Sequence, residues 1–167
     1  MPMSRLVRFA LGLLLVAGLA APVHAQSANR GVVRASDLVS WGVRSTAATR
    51  GGEGELVLEA RIAPGWRLYA LDATVGRPLT VEVETTPDGV TVGAPRQSPP
   101  QTGHDPAFGT DYTYFADAMR LALPLQVSRT AARGRHAVVG TVRYAVCDDS
   151  ICLPPAATPF RAPLTVR

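Results

Sequence analysis

Glu55-Leu56-Val57-Leu58-Glu59-Ala60-Arg61-Ile62-Ala63-Pro64-Gly65 alternates with period two and then stops at a Pro-Gly turn signal. Successive side chains of an extended chain point to opposite faces, so this alternation marks a half-buried β-strand. The pattern recurs on both sides of it. Ser40-Trp41-Gly42-Val43 reads as a first strand, and Trp66 to Leu71 as a short one rich in large residues. Leu79 to Glu84 alternates again, and Thr86-Pro87-Asp88-Gly89 turns it into Val90-Thr91-Val92. Pro95 to Pro106 reads as a long proline-rich surface loop. Strand character resumes at Tyr112 to Phe115, Arg120 to Val127, His136 to Val146 and Pro163 to Val166. Beyond the N-terminal segment, no useful window has apolar residues at helical spacing. Roughly seven to nine short strands, spaced about ten residues apart, predict an all-β fold, an immunoglobulin-like antiparallel β-sandwich. A small closed barrel would share the pattern, and strand count and length favour the sandwich.

The N-terminal segment MPMSRLVRFALGLLLVAGLAAPVHAQ sets Arg5 and Arg8 before an apolar run from Phe9 to Ala21, and Val23-His24-Ala25 follows. That is the pattern of a secretory signal peptide over residues 1–25, with cleavage expected after Ala25. The apolar run falls short of the roughly 20 residues that span a bilayer. Residues 26–34 are polar and aperiodic and read as a flexible leader. Residues 35–167 then form one domain, long enough for a hydrophobic core and short for two. All 17 basic residues are arginines; loss of Arg5 and Arg8 with the signal peptide leaves 15 against 13 acidic residues, and they are scattered rather than clustered. A nucleic-acid partner would want a basic patch or stripe, so that class is set aside.

The chain has 2 cysteines, Cys147 and Cys152. In an exported domain such a pair is expected to form a disulfide when oxidised. On a continuous strand residues five apart stand about 16 Å from one another on opposite faces, whereas a disulfide needs its α-carbons within about 7 Å. The chain must therefore reverse within Asp148-Asp149-Ser150-Ile151, and Asp and Ser are turn residues. The pair should sit at a hairpin tip. Closing so short a loop contributes about 2 kcal/mol, against nearly 5 for a loop of about 100 residues. An exchangeable bond, by contrast, needs access to one sulfur. Asp148 and Asp149 are turn residues first and modulators second; their charge disfavours a thiolate, and no Arg or His is near in sequence to offset it. Three readings stand: a structural disulfide, a redox pair, and a thiolate metal site. The last has only His104 and His136 to complete it.

Val142-Arg143-Tyr144-Ala145-Val146-Cys147-Asp148-Asp149-Ser150-Ile151-Cys152-Leu153-Pro154-Pro155 resembles the active-site hairpin of the N-terminal periplasmic domain of the DsbD family, the thiol:disulfide interchange proteins or protein-disulfide reductases. Pro64-Gly65-Trp66-Arg67-Leu68-Tyr69-Ala70-Leu71-Asp72 looks like that family's early Gly-aromatic-x-x-Tyr strand, and an aromatic strand packed in the core would read the same way. His104-Asp105-Pro106-Ala107-Phe108-Gly109 resembles the loop that covers the cysteines with an aromatic ring. The resemblance implies an immunoglobulin-like fold and no cofactor. It implies that Cys152 forms mixed disulfides with partners, that Cys147 resolves them, and that Phe108 is the cap. On the bland reading Phe108 is a loop aromatic and Asp105 a turn residue.

The implied partners are thioredoxin-like proteins: an electron donor reduced through a membrane relay, and recipients such as an oxidised periplasmic disulfide isomerase or a cytochrome c maturation thioredoxin. The full-length pattern includes transmembrane helices and a thioredoxin-like domain, neither of which is read here, so a separate membrane electron transporter would supply them. The competing reading is an immunoglobulin-like binding module with a purely structural hairpin disulfide. On the loop-length argument, replacing both cysteines by Ser is expected to lower stability by about 2 kcal/mol, measured by urea unfolding of the oxidised parent and the double variant.

Overall fold

The computed structural model describes residues 32–44, 46–105 and 109–167. The segment read as a signal peptide, and most of the leader, lie outside them. A single helical turn, α1 (Ala35–Leu38), opens the described chain. It is followed by thirteen strands among the described residues: β1 (Val39–Arg44), β2 (Thr46–Ala48), β3 (Glu53–Ile62), β4 (Arg67–Tyr69), β5 (Thr80–Thr85), β6 (Val90–Val92), β7 (Arg96–Gln97), β8 (Gln101–Asp105), β9 (Thr110–Phe115), β10 (Ala118–Val127), β11 (Gly134–Tyr144), β12 (Val146–Cys147) and β13 (Ala156–Val166). The all-β, immunoglobulin-like expectation holds.

The first sheet runs β1-β3-β10-β6, with β7 also on β10, and the second runs β2-β13-β11-β5. The alternation that begins at Glu55 becomes the inner face of β3: Leu56, Leu58, Ala60 and Ile62 are buried. Leu121, Leu123 and Leu125 of β10 join them from the next strand. The second sheet contributes Val138 and Val142 from β11 and Ala162, Leu164 and Val166 from β13 to the same core. Period-two burial on both sheets is what lets two layers close over one apolar interior. All pairings are antiparallel except β2, which lies parallel to the end of β13.

Two features depart from the strand reading. Pro95 to Pro106 is not one long loop: β7 pairs with β10 at Leu121↔Gln97 and Ala122↔Arg96, and β8 pairs with β9 from Gln101↔Tyr114 to Asp105↔Thr110. Pro95, Pro99 and Pro100 flank these strands rather than interrupt them, and an edge strand needs hydrogen bonds on one side only. Second, there is a third, small sheet of order β12-β4-β9-β8. After Tyr144 the chain leaves β13 and, past Ala145, re-pairs with β4 through Val146↔Leu68 and Cys147↔Arg67.

β11 is thus the beam that delivers the cysteines, and its pairing with β5 shifts register between Val139 and Gly140. A Cβ added at Gly140 would strike the carbonyl oxygen of Glu82 and stand 2.7 Å from Cζ of Phe160. Gly140→Ala is therefore expected to destabilise the domain by about 1–3 kcal/mol, the usual effect of overpacking. A fall in the urea midpoint without a change in slope checks it.

Candidate functional site

Cys147 and Cys152 form a disulfide with Cα–Cα 4.0 Å, across an isolated antiparallel bridge. The reversal between them is built from the backbone and one side chain. Asp148 N–H donates to the Ile151 carbonyl at 2.9 Å, and Leu153 N–H to the Val146 carbonyl at 3.0 Å. Oδ1 of Asp148 accepts from the N–H groups of Ser150 and Ile151, both at 2.7 Å. The hairpin tip inferred from spacing is present, and Asp148 is its turn residue. The carboxyl of Asp148 lies below its ordinary pKa, because the Ile151 and Ser150 N–H groups favour the charged form.

Asp149 points the other way and pairs with Arg67, Nη1 to Oδ1 2.7 Å. That bond is the main reason the guanidinium is held above its ordinary value, against partial desolvation. Arg67 stands opposite Cys147 in the β4–β12 ladder and packs over the ring of Tyr114, 5.5 Å from its centroid. Both acidic neighbours of Cys147 are therefore engaged, one by backbone N–H groups and one by an arginine 80-odd positions upstream in the chain that only strand pairing brings near.

The two sulfurs differ in access. Cys147 is 8 % exposed and packs with Tyr69, Ala73 and Ala145 in a small cluster apart from the main core. Cys152 is exposed, next to Ile151, whose apolar side chain is 55 % exposed. The hydroxyl of Tyr69 lies 3.5 Å from Sγ of Cys147 and 3.9 Å from Sγ of Cys152. A disulfide sulfur carries no proton, so here the phenol donates. Tyr112 stacks edge-on against Tyr69 at 5.6 Å, and Tyr114 follows at 5.4 Å. Tyr69 and Tyr112, with His104, Arg67 and the hairpin, line a cavity of about 450 Å³.

Of the residues expected at the site, Cys147, Cys152, Asp148 and Asp149 come together. Asp105 ends β8, with its backbone opposite Thr110. Phe108, expected as the cap, lies outside the described residues. Tyr69 lies in strand β4 and is buried, as an aromatic strand packed in the core would have it, and its ring packs in the cysteine cluster. In the sequence Arg67 and Tyr112 read only as strand residues, and His104 only as a would-be metal ligand and the start of the covering loop; that Arg67 is the strand partner of Cys147 is a long-range fact no local pattern carries. Among the described residues no three or more His, Cys, Asp or Glu are grouped as a metal site would need.

A β-sandwich with a disulfide at a hairpin tip, one sulfur open and the other buried, is the architecture of a thiol:disulfide interchange domain. Residues 38–163 match the family described as thiol:disulfide interchange protein DsbD, N-terminal, and the chain belongs to that family. The reduced N-terminal domain of DsbD from Neisseria meningitidis has the same fold, with TM-score 0.52 and 19 % identity over 80 % of this chain and 90 % of that one. The N-terminal periplasmic domain of ScsB from Proteus mirabilis aligns with TM-score 0.47 and 16 % identity, over 77 % of this chain and 47 % of that one. Among curated proteins none matches. Membership implies a periplasmic setting and exchange with thioredoxin-like redox partners.

A carboxyl whose pKa falls on folding stabilises its surroundings above its unfolded value and ceases to do so as the pH drops through its folded value. Hydrogen-exchange protection of the Ser150 and Ile151 amides should therefore persist at neutral pH and disappear only below the ordinary carboxylate range. In Asp148→Ala it should be absent throughout, as NMR exchange rates will show.

Proposed function

We propose that the domain carries reducing equivalents between a thioredoxin-like donor, itself fed by a separate membrane electron transporter, and oxidised exported proteins. The observation that carries this reading is the unequal access of the two sulfurs: Cys152 exposed, Cys147 buried. An incoming thiolate attacks along the S–S axis at the sulfur it can reach. The new bond joins the donor to Cys152 Sγ, the intramolecular bond breaks, and the electron pair leaves with Cys147 Sγ. A second donor thiol then releases Cys152 and leaves the domain as a dithiol. In the forward hand-off Cys152 attacks the disulfide of the recipient, and Cys147 resolves the mixed disulfide.

Recipients of the family's kind are an oxidised disulfide isomerase or a cytochrome c maturation thioredoxin. Ile151, apolar and exposed beside Cys152, suits the rim of such a contact. Phe108 is proposed as the ring that shields the bond until a partner docks, with Asp105 at the base of that loop. Export by a signal peptide cleaved after Ala25 completes the reading. An inert staple would leave the open sulfur of Cys152 without a role.

The test is covalent trapping. In Cys147→Ser the resolving thiol is gone, so mixed disulfides through Cys152 with specific exported thiol proteins should accumulate and collapse on addition of reductant. Cys152→Ser should trap none. Equal trapping by both variants, or none by either, would overturn the assignment.

A further inference from the structure

The ten residues after β4, Ala70 to Leu79, form a closed loop over Tyr69. The Ala70 carbonyl accepts from Ala73 N–H at 3.4 Å and again from Leu79 N–H at 3.2 Å, so the segment leaves and returns to one peptide group. Ala70, Ala73 and Leu79 are all buried, which fixes both feet of the loop. At its crest Gly76 adopts φ +72°, and its α-carbon faces the phenol end of Tyr69. A Cβ there would collide with Cζ of Tyr69 and stand 2.6 Å from Cε2 and 2.7 Å from the hydroxyl oxygen. Tyr112 closes the ring from another side at 5.6 Å. The phenol is thereby wedged so that its hydroxyl stands within reach of both sulfurs.

We propose that the Tyr69 hydroxyl is the donor that receives Cys147 as it leaves, and that Gly76 is the positioning residue that holds it there. The proposal rests on the exchange reading above and deepens it. When an external thiolate bonds to Cys152 Sγ and the S–S bond breaks, negative charge collects on Cys147 Sγ, in a mostly buried cluster with little access to water. An O–H···S contact that is weak toward a neutral disulfide becomes a charge-assisted hydrogen bond in the transition state. Arg67 is engaged elsewhere: its guanidinium pairs with Asp149 and lies over the Tyr114 ring. A stabilised leaving thiolate departs faster, and the same bond favours the thiolate form of Cys147 in the dithiol for the return step.

The experiment uses the intact chain and dithiothreitol as the reductant, so it requires no physiological partner. Tyr69→Phe keeps the ring and removes the hydroxyl; reduction of its disulfide should be about tenfold slower, the effect of losing one hydrogen bond to a charged group. In the Cys152→Ser background the alkylation of Cys147 should shift its pH midpoint upward by about one unit on Tyr69→Phe. Gly76→Asn tolerates the left-handed backbone yet carries a Cβ, and should slow reduction as well. The double variant should be no slower than the slower single one, because both act through one hydroxyl. Multiplying effects in the double variant would reduce Gly76 to a fold residue. A wild-type rate or faster for Tyr69→Phe, with an unmoved midpoint, would overturn the proposal. Either result leaves the partner-trapping outcome untouched, so failure here and failure of the carrier reading are distinguishable.

Discussion

The register of β11 against β13 is the constraint on which the rest of the molecule hangs. Eleven residue pairs run without interruption from Gly134↔Val166 to Tyr144↔Ala156. Because side chains alternate faces, a slip of β11 by one would turn Val138, Val142 and Tyr144 out to solvent. Burial of that face therefore fixes where the strand ends to the residue. Three positions past Tyr144 is Cys147, so the position of the disulfide is set by hydrophobic packing at the far end of the domain.

What happens past Tyr144 separates stability from chemistry. The strand quits the sandwich and joins a small sheet with its own aromatic and polar content, in which β4 supplies Arg67 and Tyr69, and β8 and β9 supply His104 and Tyr112. Asp72 knits this annex to the main sheet: its Oδ1 accepts from Thr113 and from Gln97 Nε2, both at 2.8 Å, and Gln97 Oε1 in turn accepts from Leu71 N–H. Those bonds, the one from Thr113 first, hold the Asp72 carboxyl below its ordinary value. The core can thus be oily and rigid while the cysteines sit among groups that donate hydrogen bonds.

The parts of this design that are local in sequence were legible there. Alternation in Glu55 to Ile62 and strand character in His136 to Val146 foretold strands, and five-residue spacing with Asp and Ser between foretold the hairpin. The proline-rich stretch misled, because proline content reports a missing donor and edge strands tolerate it at their margins. The third sheet and its contributions at Arg67, Tyr69 and Tyr112 were out of reach for a different reason. Which strand lies beside Val146-Cys147 depends on pairing across dozens of residues, and no local period encodes it. Tyr69 carried a faint signal, as part of the aromatic strand that resembled the family's, but nothing in that strand said the hydroxyl would face sulfur.

The turn at Asp148 does not need the disulfide to exist. Its two amide-to-carboxylate bonds, the Asp148–Ile151 and Leu153–Val146 backbone bonds, and the ladder to β4 all involve groups that a change of redox state leaves alone. Once cleaved, the two sulfurs remain tethered side by side, and each presents the other with a high effective molarity. If exchange runs through Cys152 as proposed, the covalent complex with a partner would be a brief one, since Cys147 is held within striking distance from the moment it forms. On the proposed exchange, such a domain would let its partner go promptly, and its turnover would be governed by how often partners meet it and hardly at all by how long they stay.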